Sequence, residues 1–159
     1  MIPNIDDRLA SVVRALTEVI LPHLPADASL AQEQAQLCIG HLQILRAQVD
    51  LAPAFEREEL ADTLAVARAL ARAITGFAER GQALASAVET AAATDLANAA
   101  EVRDNRRAVN LAIEALVAAV AASGNDADQA SVSALVIEHE HARVQKDRAW
   151  SAPFGFDTL

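Results

Sequence analysis

Two short stretches of the sequence bring together residue types capable of chemistry. Cys38-Ile39-Gly40-His41 sets a thiol and an imidazole three positions apart. Residues at that spacing share one face of a helix, so the pair suits two metal ligands or a nucleophile and its base. Glu138-His139-Glu140-His141 contains Glu138-x-x-His141, the local pattern of carboxylate di-metal bundles. That pattern is complete only with a second Glu-x-x-His and two further inward glutamates, and no second Glu-x-x-His occurs. No P-loop, dinucleotide glycine motif, H-E-x-x-H or G-x-S-x-G is present, which excludes the classes that depend on them. The pocket reading therefore rests on Cys38, His41 and His139, which fall on apolar stripes, with Glu138 and His141 beside them. The alternative is structural: core histidines hydrogen-bonded to neighbours, and a cysteine acting as a small buried hydrophobe. No cofactor and no firm metal site is expected.

A third group is suited to recognition. Trp150, Phe154 and Phe156 stand close together at the C-terminal end, with Phe55 and Phe77 the remaining aromatic residues. Aromatic side chains bury large areas and dominate interfaces. An ordered tail over 150–159 is expected, docked on its own bundle or on a second copy. Arg103, Arg106 and Arg107 form the one dense basic cluster; it reads as a solvated helix face paired with Glu101 and Asp104, or as an anion site.

The elements that carry these residues are helical. Over half of the chain is hydrophobic, much of it alanine, with five glycines, five prolines and no tyrosine. Alanine loses no side-chain entropy in a helix, and no stretch shows the two-residue alternation of strands. Ile5, Leu9, Val12, Val13, Leu16 and Ile20 mark a first helix to about Leu21, closed by Pro22 and Pro25. Ser29 with Gln32 fits a capping box opening a second helix to about Val49, with Leu37, Cys38, His41, Leu45 and Val49 on one side. A third helix opens after Pro53. Its seam of Leu60, Leu64, Ala67, Ala71, Ile74, Ala78, Gly81, Ala85 and Val88 predicts one long rod, with Gly76 and Gly81 as the places where it could kink. The small residues Ala71, Ala78 and Gly81 suit close approach of another helix. Thr94 and Asp95 cap a fourth helix bearing Val109, Ile113, Leu116 and Val120, stopped at Gly124 as a left-handed residue. Asp126 or Asp128 caps a last helix with Val132, Leu135, Val136 and His139 on its inner face.

The expected fold is thus all-α: an up-and-down bundle of four main helices plus a shorter N-terminal one, forming a single domain over 1–159. At 159 residues, roughly 70% of the extended chain's surface can be buried. A net charge of −9 speaks against nucleic-acid binding by counterion release. One cysteine, the absence of a basic and apolar leader, and no sufficiently long apolar run predict a cytoplasmic protein without a membrane span.

Leu16-Thr-Glu-Val-Ile-Leu-Pro22, with Leu24, Ala35, Leu37, Leu45 and the Ala52-Pro53 to Glu59-Leu60 segment, carries a resemblance. This stretch of about sixty residues resembles a bacterial family of small helical proteins of uncharacterised activity. Their genes accompany aminoglycoside-phosphotransferase-like kinases and acyl-CoA dehydrogenases. The Glu-His-Glu-His segment and the aromatic tail depart from the family pattern. The resemblance implies an accessory role near acyl-CoA metabolism and supplies no catalytic residues. Together with the small-residue seam and the tail, the expectation is a non-catalytic, self-associating protein, a homodimer with a further protein partner possible. A bundle with a polar metal- or ligand-binding pocket is the alternative.

Overall fold

Helical periodicity without strand signals yields helices alone in the computed structural model, which describes residues 4–152. Six α-helices follow in order: α1 (Ile5–Arg14), α2 (Ser29–Gln48), α3 (Ala52–Ala73), α4 (Ala78–Ala92), α5 (Ala99–Ser123) and α6 (Asp126–Ser151). The fold is all-α, and the count exceeds the expected five because the third segment is two helices. Its periodicity continues past Ile74, but residues 74–77, with Gly76 among them, leave the helix. The seam is buried through Leu60, Leu64, Ala67 and Ile74, with Ala71 half-buried against the same core. Beyond the break it resets: α4 buries Leu84 and Ala91, while Ala78 and Ala85 are exposed and Gly81 is half-buried.

The chain divides into two compact units at Ala52/Pro53. In the first, α1 passes into a π-helical turn, Ala15–Ile20, and a 3₁₀ turn, Leu21–His23, before α2 returns against it. Asn4 caps α1 by accepting from the Asp7 N–H at 2.7 Å. Arg46 on α2 donates to both carboxylate oxygens of Asp6 on α1, at 2.8 and 3.0 Å. This pairing holds the Asp6 carboxyl below its usual range and raises Arg46. No residue of this unit's described helices is buried.

In the second unit α3, α4, α5 and α6 surround a core in which Leu70, Leu84, Leu116, Val102, Val109 and Val120 are fully buried. The most extensive helix–helix contact of this unit is between α4 and α5, where Ala87, Val88 and Ala91 of α4 pack into the core.

Several helix ends differ from their sequence reading. The N-cap of α2 is Ala28, not Ser29, so no side chain caps the helix; the Gln32 amide instead donates to the Pro25 carbonyl at 2.9 Å. Asn98, not Thr94 or Asp95, caps α5 by accepting from the Glu101 N–H. Thr94 is buried, donating to the Ala91 carbonyl at 2.7 Å and accepting from the Asn105 amide at 2.8 Å. Asn125, not Asp126 or Asp128, caps α6 by accepting from the Asp128 N–H at 2.9 Å. Gly124 is extended (φ −71°) rather than left-handed. Glycine is needed there for another reason: a Cβ would lie 2.5 Å from the Val120 carbonyl oxygen.

Candidate functional site

The residues singled out in the sequence separate into two settings. Cys38 and His41 lie exposed on α2. The expectation of a buried cysteine is overturned, and Leu37 and Leu45, on the same side of the helix, are each 49% exposed. The reason is that α2 is apolar on two sides. Gln32, Ala35, Ile39, Leu42, Arg46 and Val49 repeat in steps of three and four and form the half-buried face. Leu30, Leu37 and Ile44, each seven residues apart, form a second stripe on the other side, with Leu30 and Leu37 exposed and Ile44 half-buried; Leu51, exposed in the turn after α2, continues the spacing.

His139 is half-buried on α6 and lines two adjoining clefts of the second unit. The first, about 340 Å³, has a floor of Val66, Ile113, Val117 and Val136 with Thr63, Asn110 and Glu114 around it. The second, about 350 Å³, adds Glu138. His141 is exposed, as is Glu140, which pairs with Arg143 at 3.3 Å. Among the described residues, no three His, Cys, Asp or Glu side chains converge as a metal site would require. His139, half-buried, and Glu114, exposed, line the first cleft together with Arg106 and Arg143.

Both clefts end at a charge cluster that the sequence reading missed. Glu59 on α3 is buried, its side chain 9% exposed. One carboxylate oxygen accepts from Arg106 of α5 at 3.1 Å, and the other lies 3.3 Å from the Lys146 ammonium of α6. Arg106 also reaches Glu56 at 3.3 Å, and Lys146 donates to Asp62. Arg106 is thus neither a solvated residue paired with Glu101 and Asp104 nor a free anion site; it is an internal tie. Burial opposes the charge on Lys146, but its hydrogen bonds to Asp62 and Glu59 outweigh that cost and raise its pKa. Glu56, Glu59 and Thr63 recur at helical spacing on α3, which is the sequence signal for a polar stripe beside the Leu60–Leu64 seam.

The aromatic residue of the tail that is described docks on its own unit. Trp150 stacks on Phe55 with ring centroids 4.4 Å apart and planes inclined by 28°. Lys146 sits 5.8 Å from the Phe55 centroid, a cation–π distance. Phe154 and Phe156 lie outside the described residues. No helix among the described residues is long and apolar enough to cross a membrane. No family model, no curated protein and no solved structure matches the chain.

Proposed function

We propose that this protein is a non-catalytic, self-associating helical protein with an accessory role, acting by binding other chains. The observation that carries the reading is the state of its first unit. Between Ile5 and Gln48 no residue is buried, although Ile5, Val12, Val19, Leu30 and Leu37 are between 48% and 69% exposed. Two helices alone cannot enclose a core, and chains this short rarely stand without added support. An apolar surface left in this state favours association. The charged residues of the second unit support the same reading, because Glu59, Arg106 and Lys146 are occupied with one another and tie three helices together.

Size-exclusion chromatography with light scattering tests the reading. Twice the 16.8 kDa chain mass at micromolar concentration is the expected result. A strict monomer up to 100-fold higher concentration overturns it.

A further inference from the structure

Within the reading of a self-associating protein, the structure carries one more specific statement. We propose that two copies pair through the outer stripe of α2, as an antiparallel two-helix coil, with Gly40 of one copy opposite Ile44 of the other. The inference rests on self-association as proposed above and identifies the surface that performs it.

Three features of α2 lead there. The first is spacing. Leu30, Glu33, Leu37, Gly40, Ile44 and Ala47 advance in alternating steps of three and four, and Leu51 in the turn after α2 continues the spacing. This is the repeat that keeps one seam facing a partner along a left-handed coil. It lies apart from the face formed by Ala35, Ile39, Leu42 and Val49.

The second is size. Alternate seam positions are large (Leu30, Leu37, Ile44, Leu51), and between them stand Glu33, Gly40 and Ala47. A parallel pair would set large against large, glycine against glycine and Glu33 against Glu33. That arrangement leaves a void and opposes like charges. An antiparallel pair sets large against small in each layer, as close packing requires. Of its two registers, one would press Glu33 against Ile44. The other sets Leu37 against Ala47 and Gly40 against Ile44, and moves Glu33 to the end of the seam opposite Leu51, where water reaches it. A glycine inside a helix is otherwise unfavourable, and a side chain at Gly40 would meet no atom within 4 Å in the single chain. The vacancy has the position that the second copy's Ile44 needs.

The third is charge. The chain as a whole is 22% charged and carries a net −9. The twenty residues of α2 hold only Glu33 and Arg46, and Arg46 is engaged by Asp6 of α1. The seam is flanked by Gln34, Gln36, Gln43, Gln48 and His41. Depletion of charge at the centre of a surface is characteristic of interfaces, and glutamines on the rim allow two acidic chains to approach. A coil the length of α2, about 30 Å, buries on the order of 1,000 Å² in total, at the lower end of specific interfaces. The dimer forms about a two-fold axis with the same surface on both copies.

The test uses the full chain and substitutions at Gly40, Ile44, Leu37 and Ala47, followed by sedimentation equilibrium and thermal unfolding. Gly40→Leu gives opposite signs in the two cases. In an isolated chain it replaces a poor helix former with a good one in open space, so Tm holds or rises. In the dimer it fills the position of Ile44, so the dissociation constant rises at least tenfold. Ile44→Asp likewise abolishes the dimer. Ala47→Leu weakens it, and Leu37→Ala combined with Ala47→Leu restores it, because large still meets small. A dimer unaffected by Gly40→Leu and Ile44→Asp overturns this surface and leaves self-association standing. A dimer weakened by Ala47→Leu but not restored by the double substitution overturns the antiparallel register. A monomer at every concentration overturns both readings.

Discussion

The helices α2 and α3 are of similar length, 20 and 22 residues, and both carry leucine and alanine in steps of three and four. Yet α3 buries Leu60, Leu64, Val66, Ala67 and Leu70, while α2 buries nothing. The difference is the number of neighbours. α3 belongs to four helices that share one centre, so each apolar stripe finds a facing stripe. α2 has α1 on one side and presents a second apolar stripe on the other. Apolar area stabilises only when something covers it, at about 25 cal/mol per Å² removed from water. Two segments of like composition therefore differ in how much of the folding free energy they hold.

Substitutions sharpen that contrast. Leu116 is fully buried on α5, and Leu116→Ala is expected to cost about 2–5 kcal/mol through lost burial and the cavity left behind. The same truncation at the half-exposed Leu37, in protein dilute enough to be monomeric, is expected to cost less than about 0.5 kcal/mol. Urea unfolding of the two variants gives both values, and equal costs would break the contrast.

The next effect is electrostatic. Glu59→Ala leaves Arg106 and Lys146, about three-quarters buried, without their common partner, and is expected to cost about 2–3 kcal/mol. The pH dependence follows from the raised Lys146. A lysine whose pKa is higher folded than unfolded lends stability that is complete below the ordinary lysine range. That stability is lost as pH climbs through the raised value. Thermal unfolding followed into strongly alkaline buffer should show this decline in the wild type and a smaller one in Glu59→Ala. The smallest effect is at a helix end: Asn125→Ala removes the α6 cap and is expected to cost about 1 kcal/mol by the same measurement.

Much of this was legible in the residues. The Leu60–Leu64–Ala67–Ile74 stripe and the Val109–Leu116–Val120 stripe are single and clean, and both are core. The face of α2 was not, because two stripes share that helix and spacing alone does not say which one meets α1. Thr94 has the residue type of a cap, but its hydroxyl is used inward, and Asn98-x-x-Glu101 was the better signal four residues on. The Glu59 cluster joins residues 47 and 87 positions apart, and no local pattern encodes such a meeting. For the same reason His139 and Glu114 share a cleft that neither one's neighbours announce.

The stacking of Phe55 on Trp150 has a topological consequence. One ring belongs to the first turn of α3 and the other to the last turn of α6, so the polypeptide enters and leaves the four-helix unit at one place. A unit of this kind can be grafted into a surface loop of a host protein without stretching the host. Circular permutation is expected to preserve its helix content by circular dichroism when the two ends are joined by a short linker and the chain is reopened between α4 and α5.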